Sequence, residues 1–181
     1  LVHQSPAFGA EDLVATRAEA VVSNTGEAGY AVTARDRTPD LLAGGTAPAS
    51  FPGKLLALLW RRWREGGRPL VLCPCELISG NGGVLRDTVP ALARDAQAPA
   101  DFAAWVGCDL VWADTLVDRI VSAPIEPVGA VAEPYALWAI ARRPGLAEPP
   151  CRHPAIVMAD DLEPYERLKL HILNLGHTVL A

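Results

Sequence analysis

The sequence is short of paired cysteines. Its four, at positions 73, 75, 108 and 151, show neither a C-x2-C spacing nor the density of a disulfide framework. That excludes the usual zinc and disulfide scaffolds and leaves reduced, mostly buried thiols as the expectation. Long apolar runs are missing too. The longest, residues 135–141, falls far short of the ~20 residues that cross a bilayer, and the first residues lack a signal peptide's basic start and apolar middle. A soluble, cytoplasmic chain without a membrane partner is the expectation. Excess positive charge is absent: the formal net charge is −5, so nucleic acid is not an expected partner, although Arg61, Arg62 and Arg64 cluster around Trp60 and Trp63. No G-x-S-x-G elbow and no H-E-x-x-H pair occurs, which weighs against a hydrolase and against a metal site. Internal repeats and low-complexity tracts are also lacking.

What is present can build a core. The chain has 181 residues, 50% of them hydrophobic and 20% charged, enough for one globular domain or for one and a piece of another. It opens on Leu-Val-His without a start methionine and closes inside an apolar helical pattern with no stop signal, so both ends are expected to be cut.

Short apolar runs set the fold class. Residues 18–23 read as a buried strand closed by Asn24-Thr25-Gly26, and residues 70–73, after Gly66-Gly67-Arg68-Pro69, read the same way. Between them residues 52–65 form a helix with proline at its start and one apolar face. Strand, helix, strand is a parallel α/β unit. Residues 76–83 are turn-rich, and residues 84–93 suit a helix interrupted by Pro90. A short helical piece covers 101–106; strand and helix compete over 108–112 and 114–120. Residues 130–141 suit a strand broken at Glu133-Pro134, and 156–158 a short strand that leads to a helix from Pro164 onward. The expected architecture is α/β: a partial Rossmann-like parallel sheet over residues 1–155, then the start of an all-helical C-terminal domain over 156–181.

On that last helix, at about 100° per residue, Lys169, His177 and Asn174 fall near 0°, 80° and 140°, within one sector. Leucines and an isoleucine occupy most of the remaining circumference, so the helix is expected to be buried nearly all round. A buried lysine is costly when charged, which would bring its proton exchange toward neutral pH and suit a general base. An amide and an imidazole beside it would polarise one substrate oxygen, which implies interconversion of an alcohol and a carbonyl. The same residues admit an ordinary reading, with the lysine reaching solvent and the other two satisfying core polar groups, and geometry alone does not choose.

Further segments bear on the choice. The run PYERLKLHILNLGHT resembles the K-x4-N-x2-H signature of the polyol-specific long-chain dehydrogenases, a family that includes mannitol 2-dehydrogenase, fructuronate reductase and tagaturonate reductase. In the same order along the chain, SNTGEAGY (23–30), SFPGKLLALL (50–59), PCELISGNG (74–82), TLVDRI (115–120) and AEPYALW (132–138) resemble other blocks of that family. Several ordered motifs are more specific than any one.

The resemblance implies roles. Lys169 would be the catalytic acid/base, Asn174 and His177 would orient the reacting oxygen, and Asn81 would join them at the substrate. Glu166, three residues before the lysine, would help pass its proton to solvent. Asp118 is a secondary substrate-side candidate. Asn24, Thr25 and Glu27, after a strand end, would face the nucleotide. The hydride requires a nicotinamide, so NAD is the implied cofactor and a sugar acid or polyol the implied small-molecule partner. Pro-Cys-Glu-Leu-Ile before Asn81-Gly82 resembles the tagaturonate reductases more than the mannitol dehydrogenases, which implies reversible reduction of tagaturonate to altronate. The sequence also departs from the family: no G-x-G-x-x-G stands in it, Asp114 replaces a usual asparagine, and most of the helical domain is not present. A rival reading is therefore a truncated binding module without catalysis.

Overall fold

The computed structural model describes residues 10–26, 28–44 and 47–169. Three parallel strands, β1 (Ala20–Ser23), β2 (Val71–Pro74) and β3 (Val111–Trp112), form one sheet in the order β1-β2-β3. Ala20 lies opposite Val71, and Val71 opposite Val111, so β2 is central. Being central, β2 carries side chains buried on both faces, Leu72 and Cys73 among them.

Helices fill the crossovers. Ahead of β1 stands α1 (Ala10–Thr16), and between β1 and β2 run a 3-10 turn (Ala34–Arg37), the short α2 (Asp40–Ala43) and α3 (Phe51–Arg64). The start of α3 is set by Ser50, whose Oγ accepts a hydrogen bond from the Gly53 N–H at 3.1 Å, and by a proline in its first turn. Leu55, Leu56 and Leu59 of α3 meet Leu72 of β2 in the main core. Each such side chain contributes roughly 1.5–3 kcal/mol on burial. Between β2 and β3 come α4 (Asn81–Asp95), α5 (Ala100–Ala104) and a π-helical turn (Trp105–Asp109).

A second sheet follows directly. Its strands are β4 (Thr115–Asp118), β7 (Leu137–Ala141) and β8 (Ile156–Ala159), with β7 antiparallel to β4 and parallel to β8. Residues on both sides of position 155 thus share one sheet. Between β4 and β7 projects a hairpin of β5 (Val121–Pro124) and β6 (Ala130–Ala132). The described chain ends in α6 (Glu163–Leu168).

Several expectations need correction. Pro90 does not interrupt α4, because Leu85 and Val89 before it and Leu92 and Ala93 after it are all buried in the core, and this packing outweighs the hydrogen bond that proline removes. The helix begins three residues earlier than expected, at Asn81. The competition over residues 114–120 resolves as strand at Thr115–Asp118. Cys73 and Cys75 are buried, but Cys108 and Cys151 are exposed. In the described part of α6 Leu168 is 41% exposed, while Tyr165 packs against Ala139, Ala141 and Leu162; the rest of the helix expected to be buried lies outside the described residues.

Candidate functional site

Parallel α/β sheets present their ligand sites at the carboxyl ends of their strands. Two loops stand there, residues 24–26 and 28–30 after β1 and residues 75–80 after β2. Cys75 extends the ladder by donating its N–H to Ser23 O at 2.7 Å. Beyond it, Glu76 is 3% exposed and its carboxylate turns back across the sheet edge. Oε1 accepts from the Thr25 N–H at 3.1 Å and the Thr25 hydroxyl at 3.0 Å; Oε2 accepts from Ser23 Oγ and Tyr30 OH, each at 3.1 Å. Burial and then the neighbouring Glu76 charge push the Tyr30 hydroxyl well above its ordinary pKa, so Tyr30 stays a donor.

Asn81 fastens the other side of the same loop. It is 0% exposed. Its Nδ2 donates toward the carbonyls of Thr115 (2.8 Å), Pro74 (3.0 Å) and Glu76 (3.1 Å), while Oδ1 accepts from the N–H groups of Gly82 and Thr115, both at 2.9 Å. The expectation that Asn81 faces substrate meets a physical obstacle: backbone groups occupy its whole hydrogen-bonding capacity. Gly82 beside it cannot be larger, since a Cβ there would stand 2.4 Å from Ala113 O. Asp114 completes the helix start, accepting from Gly83 N–H at 2.9 Å and pairing with Arg143.

The strand that Asn81 clasps at Thr115 also carries the lysine contact. Lys169 Nζ donates to Val117 O at 2.8 Å and lies 3.8 Å from the Asp118 carboxylate, with the two side chains 16% and 15% exposed. The loop reaches this corner as well, since Ser79 Oγ donates to Glu166 Oε1 at 3.0 Å. Lys169, Asp118, Glu166 and the 75–80 loop therefore gather around β4. Asn174, His177 and Glu27 lie outside the described residues. Of the expected nucleotide contacts, Thr25 spends both its donors on Glu76, whereas Asn24 is exposed and its amide has no hydrogen-bond partner among the described residues.

Sequence reasoning missed Glu76, Ser79 and Thr115. The available signal was an acidic residue just past a buried strand, in a loop read for its turns and its family resemblance but not for a buried charge. Among the described residues no group of histidines, cysteines and carboxylates is placed to hold a metal ion, and no helix is long and apolar enough to cross a membrane.

The chain is 36% identical over 180 residues to an altronate oxidoreductase of Yersinia pestis, an alignment that covers 88% of this chain and 36% of the relative. An altronate oxidoreductase of Halalkalibacterium halodurans is 36% identical over 183 residues, with 88% of this chain and 34% of the relative covered. The chain thus spans little more than a third of these relatives. Among solved structures, the Pseudomonas fluorescens mannitol 2-dehydrogenase, a ternary complex with NAD and D-mannitol, superposes with a TM-score of 0.71 at 20% identity, covering 91% of this chain and 38% of that one. A D-sorbitol dehydrogenase in substrate-free form gives 0.67 at 21% identity, covering 88% and 37%. These two share the Rossmann-like fold described above. The family model for the mannitol dehydrogenase Rossmann domain matches residues 7–150, and the chain belongs to that family.

Proposed function

We propose that this chain forms part of an NAD-dependent oxidoreductase that interconverts a secondary alcohol and a ketone on a sugar acid, with altronate and tagaturonate as the pair. The observation that carries the reading is the gathering of Lys169, Asp118 and Glu166 around β4, next to the loop that closes the parallel sheet. The altronate oxidoreductase relatives support the substrate class.

The exposed Asn24 amide at the carboxyl end of β1 offers both a donor and an acceptor, which suits the hydroxyl-rich and amide parts of a dinucleotide. Asn24, on a loop that Thr25 holds in shape, would contact NAD. Glu27 would contact it as well. When bound, NAD supplies the hydride acceptor for oxidation and the hydride donor for reduction.

Lys169 moves the proton. In oxidation its amine takes the proton of the reacting hydroxyl, and in reduction its ammonium returns it to the ketone oxygen. Val117 O and Asp118 hold the Nζ in place. Glu166, steadied by Ser79, exchanges the lysine's proton with solvent. Asn174 and His177 polarise the reacting oxygen. Asn81 serves as a positioning residue, which keeps the 75–80 loop and the start of β4 in register. The intact protein is expected to form NADH from NAD with altronate, followed by absorbance. Turnover of mannitol or fructose but not altronate would contradict the assignment.

A further inference from the structure

We propose that Glu76 is a positioning residue for nucleotide binding: its buried carboxylate holds the 24–30 loop in the shape that presents Asn24. The inference rests on the reading of that loop as the nucleotide side of the site. A buried carboxylate is costly unless its lone pairs are filled, and here all four donors come from Ser23, Thr25 and Tyr30. No lysine, arginine or histidine pairs with it among the described residues. The charge is thus committed to one strand end and the loop that follows, gripping that loop near its start and at its far end.

The backbone of Glu76 is pinned as well. Its carbonyl accepts from Asn81 Nδ2 at 3.1 Å and from the Ile78 N–H at 2.8 Å, so the side chain acts from a fixed base. The loop is wound tightly about its anchor, because a Cβ at Gly29 would stand 1.8 Å from Thr25 Oγ1. A loop held this way loses little freedom when a ligand binds, which favours affinity without contact between Glu76 and the ligand.

The test compares Glu76→Ala and Glu76→Gln in the whole chain. Alanine removes all four acceptor contacts. Glutamine keeps an oxygen for Thr25 and turns an NH2 toward Ser23 and Tyr30, whose hydroxyls can rotate to accept. Calorimetric titration is expected to show NAD binding weakened roughly tenfold or more in Glu76→Ala and recovered to within about threefold by Glu76→Gln. Amide hydrogen exchange without NAD is expected to show lost protection at Thr25 in the alanine variant alone. In turnover, the KM for NAD rises while the KM for the sugar acid stays unchanged. Thr25→Val and Tyr30→Phe remove one donor each with little change of shape and replace Glu76→Ala if it does not fold; both should weaken NAD binding. Wild-type affinity in Glu76→Ala, or in both donor variants, overturns the proposal. Failure of the wild-type chain to bind NAD contradicts the proposed function and this inference together, whereas wild-type binding matched by Glu76→Ala overturns this inference alone.

Discussion

Asn81 and Glu76 are both buried polar residues on one loop, yet they hold different partners. Asn81 uses an uncharged amide to bind backbone from β2, the loop and β4 at once. Removing it takes the acceptor from the Gly82 and Thr115 N–H groups and a donor from three carbonyls, so Asn81→Ala is expected to destabilise the fold by about 3 kcal/mol, measured by denaturant titration. A variant with wild-type stability and lost turnover would return Asn81 to direct contact with substrate. The asparagine was legible in the sequence as part of an Asn-Gly signature, but its role was not. Which carbonyls surround an amide is decided by β4, whose Thr115 lies 34 positions further along the chain.

Elements were legible where a single period dominated. The apolar face of α3 and the short runs of β1 and β2 gave the parallel unit, because buried strands and an amphipathic helix leave strong local patterns. The 3-10 turn and α2 left none, being too short for a period. The turn is held by long-range contacts of its own Asp36, 1% exposed, whose carboxylate accepts from the N–H groups of Thr33, Ala49 and Ser50 and ties the turn to the entry of α3. Burial opposes that charge, but hydrogen bonds from Thr33, Ser50 and Ala49 outweigh it and hold the carboxyl below its ordinary 3.8. The folded state therefore binds this proton less tightly than the unfolded chain does. Its stabilisation is complete above the unfolded value and lost as pH falls through the lower folded one. Asp36→Ala is expected to cost about 1–3 kcal/mol at neutral pH, with the gap to wild type closing only under strong acid. A gap that stays constant through that acid range in denaturation curves would contradict the account.

At the scale of the molecule, the two sheets meet along β3, Asp114 and β4, and the proposed site lies where the carboxyl edge of the first faces the start of the second. Ordered motifs made this legible as ancestry, since each block resembles a block of the family in the same order along the chain. They did not show that Lys169 would find its contacts on β4, because strand pairing between distant segments has no local signature. The proposal is that Lys169 moves the proton while the loop after β1, held by Glu76 of the loop after β2, binds the nucleotide, and its most direct test is Lys169→Ala assayed side by side for turnover and for NAD affinity. The account predicts turnover reduced to background with NAD binding within about twofold of wild type. Unchanged steady-state turnover in Lys169→Ala would contradict it.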